Sequence, residues 1–570
     1  MRRSGRLTAI VLVVVSLLLV AAGLLLLVRP DSIPERMVLV VDLREDLPEE
    51  SRRGVLSSFL GRDLTVFEVV RALDAAAADE RVEAINLRLG GVRCGLGRAQ
   101  EVRRALAGVK EAGKPIVALM EGGGTIDSYL ASVADEAYTL PGGSVMIGGL
   151  VMEIPFVRGS LDSLGIYPDF VTAGAEKDTP EVYTRTGASD VMRLNMTRVV
   201  TDLNDQISED LASGRKLDRV VVDELSDRGF LTGAGAREAG IVDGTLHADG
   251  IKARLEHLIG EGVEEVPLRR YVRNLAPGWL ENREIIALVH VGGVLVPGDS
   301  MDNAWYGRST GARTLAATLR ELGEDQNVAA VVLRLDTPGG SSEASEIIWR
   351  EIRMITESKP VVVSMGDYAA SGGYYIAVAA DEILAEPATI TGSIGVFAGK
   401  FALAGLYDLV GMNWEQARSG RNDDMFHDRL PWTEEQRELI REQITEVHGR
   451  FQEVIVTGRG LSAGQVAELA TGRVYTGREA LAHGLVDGLG GLPQAVLAAR
   501  RRAGVDDDAL VEVRIFPRGG GLLAGLTGGG SQATAPLPGP LGSLASDVAL
   551  WELLAEERIA AFSPYRVVTP

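Results

Sequence analysis

Apolar stretches alternate with amphipathic segments along most of the chain. From residue 37 the pattern predicts strands over Met37–Leu43, Ala84–Leu89 and Pro115–Met120, separated by helices over Thr65–Ala78 and Gln100–Glu111. Strands and helices that alternate in this way build βαβ units, in which helices cover a sheet of parallel strands. The pattern therefore predicts an α/β fold with a parallel sheet.

This pattern occurs twice. VEAINLRLGG from Val82 matches VAAVVLRLDTPGG from Val328, and GKPIVALM from Gly113 matches SKPVVVSM from Ser358. Two further pairs follow in the same order, YLASVADEAYTLP with YIAVAADEILAEP and LTGAGAREAGIVDG with YTGREALAHGLVDG, and all four offsets lie between 244 and 246 residues. Ordered matches at nearly one offset indicate a tandem duplication.

The chain is accordingly divided into a tip (1–6), an apolar segment (7–28), a first repeat (29–275), a second repeat (276–515) and a C-terminal segment (516–570). A long helix is predicted late in each repeat, over Asp190–Ser213 and Thr433–Val456. Beyond Arg518 the chain is rich in glycine and proline, which predicts a flexible linker, and Ala549–Ala561 has the pattern of a short amphipathic helix.

The apolar segment Leu7–Val28 contains 22 residues without a charge. As a helix it is long enough to span the roughly 30 Å of a bilayer's hydrocarbon core. Arginines at positions 2, 3 and 6 precede it and only Arg29 closely follows, which predicts an N-terminus in the cytoplasm and a main body outside. No A-x-A site follows the segment, so we expect an uncleaved anchor; a cleaved signal peptide is the alternative.

Composition and net charge exclude some classes of function and of binding site. At 570 residues, 46% of them apolar, the chain is long enough for several buried cores. Its net charge of −21 argues against a nucleic-acid partner, because phosphates would be repelled. Cys94 is the only cysteine, which excludes an intramolecular disulfide and any metal site built from several cysteines.

The stretch 361–396 carries the first candidate chemistry. A buried-type strand is followed by Ser371-Gly372-Gly373 and then by a helical run from about Tyr374 to Ala380. A serine between a buried strand and a helix N-terminus sits where nucleophiles often sit, and free backbone N–H groups there favour a developing oxyanion. The alternative is a tight Ser-Gly turn that only packs.

The two repeats differ in a reciprocal way at their candidate residues. Position 371 corresponds to Thr125 in the first repeat, which lacks the serine, whereas Lys177 corresponds to Asp423 in the second repeat, which lacks the lysine. None of the six histidines lies in a turn typical of a catalytic loop, so a Ser-His-Asp triad is disfavoured. A buried, neutral lysine is the other base used with serine. A lone lysine is by itself more often a solvated surface charge, but the reciprocal loss is expected if one site takes a residue from each repeat.

Further groups complete this candidate site. The turn Asp336–Gly340 follows the predicted strand Ala330–Leu335 at its C-terminal end, where α/β folds place their sites. Backbone N–H groups of Gly339 or Gly340, with that of Gly372, would form an oxyanion hole, and Ser393 would orient the lysine amine; ordinary turns are the alternative in both cases.

The motifs together resemble the signal peptide peptidase A family, whose members are serine proteases of the Clp/crotonase-like superfamily. The resemblance is strongest to the long, duplicated protease IV form. It is carried by DTPGG (336–340), YAASGGYYIA (368–377), TGSIGV (391–396), the G-x-x-K-D run (174–178) and the N-terminal anchor.

This resemblance implies that Ser371 is the nucleophile and that Lys177 of the first repeat is the general base. It implies two Clp/crotonase-like ββα-repeat domains, no cofactor or metal, and a homotetramer that degrades cleaved signal peptides outside the bacterial cytoplasmic membrane. Two other functions stay open at this point. One is a crotonase-like acyl-CoA enzyme, against which the lack of evident basic residues for the CoA phosphates argues; the other is a non-catalytic, membrane-anchored scaffold.

Overall fold

The computed structural model describes residues 33–50, 64–275, 283–303, 307–506, 509–517, 559–563, 565 and 567–568. The predicted anchor, residues 7–28, and the predicted linker lie outside the described residues. Within these ranges, no helix combines the length and the apolar character needed to cross a membrane.

The first repeat contains ten strands and ten helices in its described part. In chain order they are β1 (Met37–Asp42), α1 (Val66–Ala78), β2 (Val82–Leu89), α2 (Leu96–Glu111), β3 (Ile116–Met120), α3 (Thr125–Ala131), β4 (Glu136–Thr139), β5 (Ser144–Met146), β6 (Val151–Met152), α4 (Arg158–Ser163), β7 (Tyr167–Ala173), α5 (Glu181–Thr184), α6 (Asp190–Arg215), α7 (Arg219–Arg228), β8 (Phe230–Thr232), α8 (Gly233–Glu238), β9 (Gly244–Thr245), α9 (Ala248–Ile259), β10 (Glu264–Pro267) and α10 (Leu268–Asn274).

The second repeat follows the same plan. Its described elements are β11 (Glu284–Gly292), β12 (Val294–Val296), β13 (Met301–Asn303), β14 (Gly307–Gly311), α11 (Ala312–Glu324), β15 (Val328–Thr337), β16 (Gly339–Ser341), α12 (Ser342–Thr356), β17 (Val361–Ala370), α13 (Gly372–Ala377), β18 (Glu382–Ala385), β19 (Ile390–Gly392), β20 (Val396–Ala402), α14 (Ala404–Leu409), α15 (Glu434–Arg459), α16 (Ala463–Leu469), β21 (Val474–Thr476), α17 (Gly477–Ala482), β22 (Gly488–Leu489), α18 (Leu492–Arg502) and β23 (Val511–Phe516).

The strands and helices that the apolar pattern predicts in the two repeats are present, with ends that differ by a few residues. The five residues of β3 are all buried, as expected of a parallel strand that helices cover on both faces. Helix α1 begins where Thr65 and Glu68 form a capping box, and the two long helices begin at the serine or threonine caps Ser189 and Thr433. The helix after Ser371 begins two residues earlier than predicted, because Ser371 itself is the N-cap.

Each repeat has its own sheet, and equivalent strands occupy equivalent places. The first sheet has the order β10-β1-β2-β3-β4-β9, and the second contains the matching path β23-β11-β15-β17-β18-β22, with β19 and β21 continuing from β17. All pairs along both matching paths are parallel. The repeated sequences therefore fold into repeated topology.

Buried ion pairs join the two repeats. Arg334 on β15 is 1% exposed, and its guanidinium lies 2.7 Å from carboxylate oxygens of both Glu49 and Glu101. Arg98 on α2 pairs with Asp367 of the second repeat at 2.5 Å. Removing one partner of such a pair leaves a buried, unpaired charge and destabilises a protein by roughly 3–5 kcal/mol. These pairs therefore favour one relative arrangement of the two repeats over others.

A third sheet contains strands of both repeats and one strand of the C-terminal segment, β24 (Ile559–Phe562), in the order β13-β14-β12-β16-β24-β20-β7. Strand β7 of the first repeat runs antiparallel to β20 of the second over seven residue pairs, from Val396 opposite Ala173 to Ala402 opposite Tyr167. This pairing fixes where the loop that follows β7 meets the second repeat.

The prediction of a helix over Ala549–Ala561 is wrong at its described end. Residues 559–562 form strand β24 (Ile559–Phe562), and β25 (Val567–Val568) follows; residues 549–558 lie outside the described part. Strand β24 pairs with β16 on one side and with β20 on the other. Two open strand edges satisfy its backbone from both sides, and this tertiary pairing overrides the local preference for a helix.

Candidate active site

Ser371 lies at the C-terminal end of β17, directly before α13. Its backbone has φ +55° and ψ −114°, a conformation that costs a non-glycine residue free energy and persists only where its surroundings impose it. The Ser371 N–H donates to the carbonyl oxygen of Gly392 at 2.7 Å, and the residue is fully buried. A Cβ on Gly373 would come within 2.7 Å of Thr337 Cγ2, so this glycine lets α13 pack closely on the end of β15. The turn is a sharp strand-to-helix elbow that presents one hydroxyl.

Lys177 lies in the loop after β7, and the second repeat holds the backbone of that loop. The Glu176 N–H donates to the carbonyl oxygen of Thr471 at 2.6 Å. Gly472 has φ +99°, and a Cβ there would lie 2.5 Å from the Lys177 nitrogen. Only glycine permits both that conformation and that approach, so Gly472 determines where the lysine enters the site.

The two candidate residues meet across the repeats. Lys177 Nζ lies 2.8 Å from Ser371 Oγ, 2.9 Å from Ser393 Oγ and 3.1 Å from the Ser393 carbonyl oxygen. A neutral amine has two N–H donors and one lone pair. Two donations to Ser393 leave that lone pair for the Ser371 hydroxyl proton, so the three contacts are compatible with a neutral lysine.

Burial determines the electrostatics of this amine. Lys177 is 4% exposed, and loss of hydration lowers its pKa from 10.5 to about 7, although the charge of Asp178 acts in the opposite direction. Burial also raises the pKa of Asp178 to about 6. His448 on α15 lies close enough for the lysine charge to contribute to the lowering of the His448 pKa, after burial as the larger cause. A lysine with a pKa near 7 is suited to accept a proton at neutral pH.

The predicted oxyanion donors lie in β16, directly after β15, and at the start of α13. Gly339 has φ +101°, and its N–H donates to Thr337 Oγ1 at 3.1 Å. A Cβ on Gly340 would lie 2.2 Å from the Leu295 carbonyl oxygen, so this glycine permits close pairing of β16 with β12. Gly372 opens α13, where backbone N–H groups lack partners within the helix.

The equivalent positions of the other repeat have different surroundings. Thr125 begins α3, and its hydroxyl donates to the Gly148 carbonyl oxygen at 2.7 Å. Asp423 lies in an exposed loop and accepts hydrogen bonds from Ser419 and from the Gly420 N–H. Serine and lysine therefore come together once among the described residues.

The sequence gives no indication of the role of three residues around Lys177. Gly472 and Asp178 shape the position and the charge of Lys177, and the Tyr565 hydroxyl donates to Asp178 Oδ2. Tyr565 comes from the C-terminal segment, 387 residues away in sequence, so no local pattern indicates the contact. Across the residues that the structure describes, no group of three or more His, Cys, Asp or Glu side chains is placed to hold a metal ion.

Comparisons with known proteins identify the family of the chain. The model of Peptidase family S49 matches residues 109–261 and 353–506, once in each repeat, which confirms the tandem duplication. The chain is 29% identical over 481 residues to the chloroplastic serine protease SPPA of Arabidopsis thaliana, covering 82% of this chain and 69% of that protein. It is 32% identical over 470 residues to Protease 4 of Haemophilus influenzae, covering 79% and 75%. It is also 31% identical over 234 residues to a protein of Enterococcus faecium named "Putative signal peptide peptidase SppA", covering 41% and 67%. The resemblance predicted from the motifs is thereby confirmed, and the chain belongs to peptidase family S49 and is a serine protease.

Proposed function

We propose that the chain is a membrane-anchored endopeptidase with a Ser371–Lys177 dyad that degrades cleaved signal peptides and other hydrophobic peptides. The observation that carries the dyad is the 2.8 Å distance between Lys177 Nζ and Ser371 Oγ in a buried site where the lysine pKa is about 7. Each repeat supplies one member, which agrees with the reciprocal loss of serine and lysine between the repeats.

In the proposed mechanism, neutral Lys177 accepts the hydroxyl proton as Ser371 Oγ attacks the peptide carbonyl carbon. Backbone N–H groups of Gly340 and Gly372, with that of Gly339 once it leaves Thr337 Oγ1, would stabilise the tetrahedral oxyanion; losing one such donor costs about 3–4 kcal/mol in known enzymes. The protonated lysine then donates to the leaving amine, which departs and leaves an acyl-serine. Water, deprotonated by the same amine, hydrolyses that ester and regenerates the serine. Ser393 holds the amine in place through both half-reactions.

The proposed substrate class and the proposed cellular location are supported by separate observations. Hydrophobic peptides that remain in a bilayer suit an enzyme tethered there by residues 7–28, with its body outside the bacterial cytoplasmic membrane. The name of the Enterococcus faecium relative supports signal peptides as the substrate class. We further propose a Clp/crotonase-like fold for each repeat and assembly into a homotetramer. Membership in a serine peptidase family favours this function over the scaffold and acyl-CoA alternatives.

The test is hydrolysis of a fluorogenic, hydrophobic signal-like peptide by the full chain in detergent. Ser371→Ala and Lys177→Ala should each abolish hydrolysis while near- and far-UV circular dichroism stay unchanged. Thr125→Ala, at the corresponding position of the first repeat, is the matched control and should keep its activity. Full activity in a folded Lys177→Ala variant would refute the dyad, and an inactive parent would refute the peptidase on these substrates.

A further inference from the structure

The C-terminal segment inserts a strand into the sheet beside the candidate active site. Strand β24 runs antiparallel to β16, with Phe562 opposite Gly339, Ala561 opposite Gly340 and Ala560 opposite Ser341. On its other edge it runs antiparallel to β20, with Ala560 opposite Phe397. Without β24, the facing edges of β16 and β20 would have no strand between them.

Both edges lead directly to the dyad. Strand β16 contains two of the glycines that we propose as oxyanion donors, and β20 begins three residues after Ser393. A strand gap bounded by these edges is a site for an extended peptide, because main-chain hydrogen bonds on both sides bind the peptide with little dependence on its side chains. The gap is therefore suited to present a substrate backbone to Ser371.

Two further contacts hold the segment at this place. The Ser563 N–H donates to the Pro338 carbonyl oxygen at 3.0 Å, next to the proposed oxyanion donors. Tyr565 is 3% exposed, and its hydroxyl donates to Asp178, the neighbour of Lys177. Beyond it, β25 pairs antiparallel with β6 of the first repeat. The segment thus contacts both repeats, on both sides of the dyad.

We propose that residues 559–563 occupy the peptide-substrate groove of this protease and compete there with substrate. The inference rests on the proposed function, since the groove matters only if Ser371 acts on peptides. A segment tethered to the enzyme has an effective concentration that reaches the order of millimolar, so a free substrate must displace it before it binds. Competition of this kind raises the apparent KM by the inverse of the fraction of open groove and leaves kcat unchanged.

The first test compares the full chain with a variant that ends at residue 558, intact masses confirming that each tail is present or absent. With a fluorogenic peptide, truncation should lower KM by roughly tenfold or more, and kcat should change by less than about twofold. A synthetic peptide of residues 559–568, IAAFSPYRVV, should inhibit the truncated chain competitively, and a scrambled peptide should not.

A second variant keeps the C-terminal segment and weakens one of its contacts with the first repeat. Tyr565→Phe retains the ring and removes the hydrogen bond to Asp178, a bond worth about 0.5–1.5 kcal/mol, so KM should fall by roughly two- to tenfold. Tyr407→Phe is the matched control, because Tyr407 also donates to a carboxylate, that of Asp428, but far from this segment in the chain. It should leave KM unchanged.

The outcomes separate this inference from the proposed function. If hydrolysis depends on Ser371 but neither truncation nor Tyr565→Phe changes KM, and the tail peptide does not inhibit, the segment does not occupy the groove and the inference is wrong. If no variant hydrolyses any peptide, the proposed function fails instead. In that case, fluorescence polarisation measures the binding of labelled tail peptide to the truncated Ser371→Ala chain. Saturable binding supports the inference, and no binding refutes it.

Discussion

The rate of peptide hydrolysis should follow the protonation of Lys177, because only the neutral amine accepts the Ser371 proton. Burial lowers the pKa of this lysine from 10.5 to about 7, a change of roughly 5 kcal/mol at 1.36 kcal/mol for each pKa unit. At pH 7 roughly half of the amines are then neutral, against roughly 0.03% for an ordinary lysine. The buried position therefore raises the population of competent base by about a thousandfold.

The assay is kcat/KM between pH 5 and pH 10 with a peptide that does not itself titrate, since this ratio reports the free enzyme. We expect a rising limb of unit slope centred near pH 7, a plateau at alkaline pH, and a rate at pH 5 that is about a hundredfold below the plateau. Asp178→Asn removes a negative charge that raises the lysine pKa, so its limb should move to lower pH. Asp423→Asn, in an exposed loop of the second repeat, is the control and should leave the limb in place.

A rising limb centred near pH 10 would refute the reasoning, because Lys177 would then be charged at neutral pH like a solvated lysine. A limb that moved to higher pH in Asp178→Asn would contradict the assigned sign. A limb that stayed near pH 7 in a folded Lys177→Met variant would show that another group titrates there.

Three further predictions concern position and stability. Gly472→Ala should lower kcat about a hundredfold by displacing the lysine loop, and Gly464→Ala, whose Cβ meets nothing within 4 Å, should not. The folded-state pKa of Lys177 lies below the 10.5 of an unfolded chain, so the unfolded chain binds more protons between pH 7 and 10.5 and wild-type stability rises with pH in that window. The melting temperature of Lys177→Met should therefore exceed that of the wild type most below pH 7, and by a margin that shrinks toward pH 10.5. Arg334→Met leaves two buried glutamates unpaired and should lower the free energy of unfolding by about 3–5 kcal/mol, whereas Arg320→Met in an exposed pair should change it little.

The sequence predicts the repeated architecture because the signals for it are local. Five apolar residues in a row indicate β3, and apolar residues at helical spacing indicate α1. A position-by-position comparison of the two repeats also identifies Ser371 and Lys177, because a site shared between the repeats leaves each repeat without one of the two residues. These predictions needed no knowledge of how the repeats dock.

What the sequence does not indicate depends on contacts between distant segments. Lys177 and Ser393 are 216 residues apart, and only the register of β7 against β20 brings them together. No local motif marks Gly472, because a side chain at this position would clash with Lys177, which belongs to the other repeat. Residues 559–561 have a helical pattern but form a strand, because two open sheet edges satisfy their backbone.

The most direct test of the central claim is the rate at which a fluorophosphonate labels Ser371 at pH 8, with the adduct located by peptide mass spectrometry. Labelling needs only the nucleophile and its base, so it is independent of substrate choice. The account predicts that a folded Lys177→Met chain, with the first repeat otherwise intact, is labelled about 10²–10⁴ times more slowly than the wild type. Equal rates in the two proteins would show that Lys177 does not activate Ser371 and would contradict a dyad shared between the repeats.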